Sequence, residues 1–272
     1  MMMELVFIPS PGIGHLRSTV ELAKQLVNGD KRLSITVIII PRSSGGDTSD
    51  FAQISSLFTP SQPRLCHETI SFAPTSERRP NQLYMVNQKP QVRDAVARLV
   101  VTSWLHLAGF VIYMLCIPMM DLADEFKVPS YSVYTSNATF LGITLHLQKM
   151  YDDKKCDTSE LSEESLVKEL EFPCLTRPYP VECLPYIFVW KEWLPLFLAQ
   201  ARKFRKMKRI LVNTVADLEP HALNVLSREG DLPRAYILDQ CCISKTIIPA
   251  MMTTVGRSRR FCGGWISNWR DR

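Results

Sequence analysis

The stretch LVFIPSPGIGHLRSTVELAKQLVNGDKRLSITVIII, residues 5–40, decides the fold. Leu5-Val6-Phe7-Ile8 is a short apolar run stopped by Pro9-Ser10-Pro11-Gly12, the pattern of a strand running into a loop. From Ser18 onward Val20, Leu22-Ala23 and Leu26-Val27 recur at helical spacing, and Gly29-Asp30 ends the helix. Leu33 to Ile40 is then a β-branched run, apolar on both faces. Such a strand belongs inside a parallel sheet that helices cover from either side. Strand, helix and strand in this compass make one βαβ unit.

The alternation continues outward. Cys66 to Phe72 reads as a third strand, Gln91 to Val101 as a helix, and Ala108 to Leu115 as a fourth strand. Pro118 to Phe126 reads as a short helix and Ser130 to Tyr134 as a fifth strand. Asn137 to Tyr151 is a helix with Ser136 as its expected N-cap. Trp193 to Lys208 is amphipathic with basic residues on its outer face, Ile210 to Thr214 is a further strand, and Glu219 to Arg228 is helical. Pro41 to Pro63 is a Ser-, Gly- and Asp-rich loop with a short helix near Phe51 to Leu57. Asp152 to Glu171 is charged enough to be a solvated loop with a short helix. The fold class implied is α/β: a doubly wound, mainly parallel sheet with helices on both faces.

Composition narrows the function. A chain of 272 residues, 46% hydrophobic and 22% charged, is ordinary globular protein and can bury a core without disulfides. No apolar run approaches the roughly 20 residues that span a bilayer, and the start lacks the basic region and cleavage site of a signal peptide. No membrane span and a cytoplasmic setting are therefore expected. The eight cysteines show no CxxC pair and no zinc spacing, so reduced thiols and no metal are expected. The net charge of +5 comes entirely from residues 240–272, which carry six basic side chains and Asp271 alone. A neutral body with a basic tail is not the pattern of a nucleic-acid-binding protein.

Open α/β sheets bind ligands beyond the carboxyl ends of their strands, where loops enter helix N-termini. Three segments fall there: Pro9 to His15, Val111 to Met114, and Tyr134 to Asn137. Gly12 and Gly14 permit a tight turn and close approach to a ligand. His15 follows them at the start of a helix, where an imidazole can take a proton from a hydroxyl and the helix dipole favours the neutral form. The spacing fails the GxGxxG fingerprint, because no third glycine follows Gly14. No acidic residue closes the second strand at Ile40-Pro41, so a nicotinamide-dependent oxidoreductase is disfavoured.

Pro11-Gly12-Ile13-Gly14-His15-Leu16 followed by Ser18-Thr19-Val20-Glu21-Leu22-Ala23-Lys24 resembles the plant family 1 UDP-glycosyltransferases. Leu107 to Val111, Asp121 to Phe126, Pro129 to Ala138, Thr176 to Pro180, Leu211 to Thr214 and Leu218 to Ala222 resemble the same family in the same order. The likeness runs from about residue 4 to 238. It implies the Rossmann-like N-terminal domain of a GT-B enzyme, inverting and metal-independent, with no cofactor and a UDP-sugar as co-substrate. It further implies a small hydrophobic hydroxylated acceptor such as a flavonoid or other phenol, with His15 as catalytic base. Gly12, Gly14, Tyr113, Thr135 and Ser136 fall at substrate-contacting positions.

Two departures qualify what the resemblance implies. The family usually places an aspartate that orients the histidine where this chain has Tyr113, and a phenol cannot offset an imidazolium at neutral pH. Asp121, the next carboxylate downstream, is expected as a solvated helix residue rather than a relocated partner. The other departure is at the end: residues 1–238 form the acceptor-binding domain, whereas residues 239–272 are expected to be a basic, poorly ordered tail unlike the family. A frame change accounts for that tail better than a basic anchor does. The nucleotide-sugar signature of the family's second domain does not occur, so the chain is expected to be truncated and inactive by itself. The alternative is a non-catalytic paralogue that binds an aglycone, or pairs with a partner through its exposed interdomain face.

Overall fold

A computed structural model describes residues 2–41, 48–58, 61–71, 81–102, 106–154, 157–161, 168–228 and 233–238. In chain order the elements are β1 (Met3–Ile8), α1 (Ile13–Gly29), β2 (Leu33–Ile39), α2 (Thr48–Leu57), β3 (Leu65–Thr69), α3 (Asn81–Thr102) and β4 (His106–Tyr113). A 3-10 segment (Met114–Met119) leads into α4 (Met120–Glu125), β5 (Ser130–Tyr134) and α5 (Ala138–Lys154). Then come β6 (Glu169–Leu170), β7 (Tyr179–Pro180), α6 (Leu194–Lys206), β8 (Arg209–Val212), α7 (Pro220–Arg228) and β9 (Ala235–Ile237).

Seven strands form one parallel sheet in the order β3-β2-β1-β4-β5-β8-β9, and β6 pairs with β7 as a separate antiparallel ribbon. Every residue of β2 and β5 is buried, as the two-sided apolar runs require. From β1 the chain winds outward to β3, then returns to β4 on the other side of β1 and winds the opposite way. Right-handed crossovers therefore place helices on opposite faces in the two halves. Leu16, Val20 and Leu26 of α1 pack with Ile54 and Leu57 of α2 over one face. Val92 and Val96 of α3, Leu141 of α5 and Phe204 of α6 cover the other. The winding reverses between β1 and β4, which opens the crevice where such sheets bind ligands.

Several boundaries differ from the sequence-based expectation. α1 starts at Ile13, not Ser18, because the Leu16 amide bonds the Gly12 carbonyl at 3.1 Å and Leu16 anchors that turn in the core. Gly12 sits at φ 124°, a conformation that glycine adopts without a Cβ clash. α3 begins ten residues before the expected Gln91 and carries Pro90 within it. The N-cap of α5 is Asn137 rather than Ser136: its Oδ1 accepts the Phe140 amide at 2.8 Å. β9 and the β6–β7 ribbon, each of two or three residues per strand, were not anticipated. The 239–272 segment lies outside the described residues.

The basic face of α6 is tethered. Arg202 pairs with Asp152, and Arg205 bonds Gln148 and the Leu145 carbonyl, all on α5. In β4, Ala108 is an extra residue, since Glu4 registers with Leu107 and Leu5 with Gly109. A Cβ at Gly109 would lie 2.7 Å from the Pro129 carbonyl oxygen, so only glycine lets β5 approach there. At the opposite end of the sheet from the crevice, Glu4 is 4% exposed, and neither carboxyl oxygen has a hydrogen bond of normal geometry. Ser34 and Thr36 lie alongside it, but the Ser34 hydroxyl donates to the Arg64 carbonyl instead. Burial raises the Glu4 carboxyl above its ordinary range, against the lowering influence of those hydroxyls.

Candidate active site

β1, β4, β5 and β8 are consecutive in the sheet and parallel, so their C-terminal loops line one edge. That edge brings together all three segments singled out in the sequence. His15 is the third residue of α1 and half-buried. Its imidazole has no hydrogen-bond partner among the described residues, whereas its carbonyl accepts the Ser18 and Thr19 hydroxyls at 2.9 and 2.7 Å. The side chain that could act as a base is thus uncommitted, and its backbone is fixed.

Tyr113 ends β4 and is 1% exposed. It packs in the same apolar cluster as Leu16 and Val20 of α1. Its hydroxyl meets the side chains of Thr19 and Ser18, and burial pushes the phenol up to about 12 against those hydrogen bonds. Tyr113 therefore reaches the turn that carries His15 as a buried, neutral phenol and not as an open pocket wall. Asp121 is committed elsewhere: its carboxylate bridges Lys89 of α3 and Lys203 of α6. Burial works to raise its pKa, but the two ammonium groups prevail and hold it below the ordinary carboxylate range. It joins three helices and is no partner of His15.

Beneath the β1–α1 loop the Cys116 thiol donates to the Pro9 carbonyl at 3.3 Å and lies 3.5 Å from the Met85 sulfur. Burial raises this thiol to about 12, so it acts as an apolar filler under the loop. Cys66, Cys116, Cys174 and Cys183 form no disulfide with one another. A cleft of about 70 Å³ lies between the loop and the end of β2, bounded by Gly12, Ile13, Leu16, Ile39 and Ile54.

Thr135 and Ser136 are half-exposed at the end of β5, and no hydrogen bond engages either hydroxyl among the described residues. Their loop is held from β8. The Asn213 amide bonds the Tyr134 carbonyl at 3.0 Å, and its side chain reaches the Thr135 carbonyl. Glu219 completes the joint, and the sequence did not disclose its role. Its two carboxyl oxygens accept the amides of Ala138 and Thr139 at 2.8 and 2.9 Å, the first turn of α5, and the Thr214 hydroxyl donates to it as well. Its own carbonyl accepts the Leu223 amide and starts α7. Glu219 thus opens one helix with its backbone and caps another with its side chain. Pro220 marks the first turn of α7 in the sequence, but nothing local reveals a cap reaching back 80 residues.

Among the described residues no three His, Cys, Asp or Glu side chains cluster as metal ligands, and no helix is long and apolar enough to cross a membrane. No family model matches the chain. The doubly wound sheet matches in fold the N-terminal half of GT-B glycosyltransferases. The chain is 62% identical over 244 residues to UDP-glycosyltransferase 71B5 of Arabidopsis thaliana, covering 87% of this chain and 50% of that protein. It is 39% identical over 240 residues to a putative UDP-glucose flavonoid 3-O-glucosyltransferase 3 of Fragaria ananassa, covering 86% and 50%. A solved UGT transferase of Siraitia grosvenorii in complex with UDP superposes with a TM-score of 0.76 at 33% identity, covering 87% of this chain and 51% of that one. In sequence and fold most of the chain is thus similar to the N-terminal half of plant UDP-glycosyltransferases, and it spans about half the length of the relatives it matches.

Proposed function

We propose that the chain is the acceptor-binding half of a UDP-sugar-dependent, inverting hexosyltransferase acting on small phenolic or flavonoid-type hydroxyls, with His15 as general base. The observation that carries this reading is an imidazole without a hydrogen-bond partner among the described residues, on the first turn of α1 at the crevice. In the proposed reaction the imidazole takes the acceptor hydroxyl's proton as that oxygen bonds the anomeric carbon. The bond from that carbon to the UDP oxygen breaks, and its electron pair leaves with UDP. Gly12 and Gly14 leave backbone open to the acceptor, and the Thr135 and Ser136 hydroxyls meet the sugar. No metal or other cofactor enters this scheme, and the setting is cytosolic.

The 272 residues alone are expected to bind acceptor without turnover. Flavonol titration should quench Trp190, which is 48% exposed, and Trp193 in a saturable way. Absence of saturable binding would sink the acceptor assignment. Joined to the C-terminal half of UDP-glycosyltransferase 71B5, the chain should transfer glucose, and His15→Ala should lower that rate by about 10²–10⁴-fold. Transfer that survives His15→Ala would remove His15 as base.

Tyr113 favours a second reading, a non-catalytic acceptor-binding paralogue. A phenol pushed to about 12 stays neutral and cannot balance an imidazolium. On that reading the fused protein binds flavonol but transfers no sugar until Tyr113→Asp supplies a carboxylate.

A further inference from the structure

Two polar side chains are buried where the packing asks only for apolar ones. Gln200 lies on the inner stripe of α6 with Phe197, Ala201 and Phe204, and is 4% exposed. An amide buried there costs free energy unless it is hydrogen-bonded, and this one donates to the Met114 carbonyl. Cys116 follows two residues later in the same 3-10 segment, is fully buried, and donates to the Pro9 carbonyl. Met85 of α3 packs against the thiol, with its sulfur 3.5 Å away. The 3-10 segment is thus bonded to α6 at one residue and to the β1–α1 loop at another.

That loop has little with which to hold itself. Pro9 and Pro11 carry no N–H to donate. Ser10 is 2% exposed, and its hydroxyl lies beside the Cys116 thiol without a hydrogen bond of normal geometry. The loop is held instead by its carbonyls, that of Pro9 by Cys116 and that of Gly12 by the Leu16 amide at 3.1 Å. We infer that Gln200 and Cys116 are positioning residues: through the 3-10 segment they fix the loop that presents His15 at the crevice, each by one hydrogen bond to a backbone carbonyl. Gln200 locks the segment to α6, and Cys116 locks the loop to the segment. Both act through the backbone and leave the imidazole unengaged. The inference rests on the reading of His15 as base and adds what places it.

The test follows hydrogen exchange of the Leu16 amide in the full chain, since the bond from Leu16 to Gly12 closes the loop. Cys116→Ala removes the thiol. Leu16 exchange should then accelerate about three- to tenfold, the net worth of one hydrogen bond, with exchange in β2 unchanged. Cys116→Ser keeps a donor and should restore most of the protection. Gln200→Met keeps the volume without the amide and should accelerate Leu16 to a similar extent, which keeps the test open if Cys116→Ala does not fold. Leu16 exchange unmoved in Cys116→Ala and Gln200→Met would overturn the inference. An equal rise in Leu16 and β2 would overturn it too, because it marks a general loss of packing. In the chain joined to the C-terminal half of UDP-glycosyltransferase 71B5, both variants should lower kcat about tenfold with KM for UDP-glucose unchanged, and Cys116→Ser should recover it. Absence of transfer in the unmutated fusion would count against His15 as base and leave the Leu16 result standing.

Discussion

The Tyr113 hydroxyl meets Thr19 on the opening turns of α1, and Thr19 in turn donates to the His15 carbonyl at 2.7 Å. A strand end and a helix start are thereby coupled through two hydroxyls to the backbone of the candidate base. The coupling reaches the carbonyl of His15 and leaves its imidazole free.

Tyr113→Phe should keep the fold and lose about 1 kcal/mol, the usual net worth of one buried hydrogen bond. The loss should appear as faster amide exchange in the first two turns of α1, with exchange in β4 unchanged. Equal protection of α1 in both proteins would show that the hydroxyl adds nothing to that turn.

Glu4→Gln should stabilise the chain at pH 8, where the native carboxylate is charged against its burial. The native carboxyl has a pKa raised by burial, so its contribution is complete below the unfolded value of 4.5 and is lost as pH rises through the native value. The advantage of glutamine should therefore vanish near pH 4. Urea denaturation at the two pH values decides it, and an advantage independent of pH would contradict the assignment.

Asp121→Asn should cost at most about 1 kcal/mol, because the carboxylate is half-exposed and its ion pairs with Lys89 and Lys203 are screened. The cost should shrink as salt is raised from 0.05 to about 1 M. In the fused enzyme the pH dependence of transfer should be unaltered, whereas a relocated partner of His15 would move it.

Gly142→Ala should destabilise by roughly 1–3 kcal/mol as an overpacked contact. A Cβ there would stand 2.6 Å from the Cys174 Cβ, too near the backbone for a rotamer change to relieve. The usual helix-propensity gain of about 1 kcal/mol for alanine over glycine works in the other direction. A rise in the denaturation midpoint would mean that the segment holding Cys174 yields freely.

The inner strands β1, β2, β4 and β5 were legible because they are short, mostly apolar runs buried almost throughout. The three ligand loops followed from them, since strand ends in a parallel sheet share one edge. The start of α1 was hidden by Gly12 and Gly14, which read as loop although only Gly12 lies outside the helix. Ser136 read as a cap because serine ranks with asparagine at that position, and only the geometry separates it from Asn137. The fate of Asp121 and the reach of Glu219 depend on partners far along the chain, which no local pattern encodes.

β5 and β8 lie side by side although residues 135–208 separate them in the chain. During synthesis, strands β1 to β5 can assemble while α5 and α6 are still emerging, but β8 must arrive before that side of the sheet can extend. The turn that bears Thr135 and Ser136 is then a late-maturing part of a nascent protein. Its latch cannot form until residue 219 has left the ribosome.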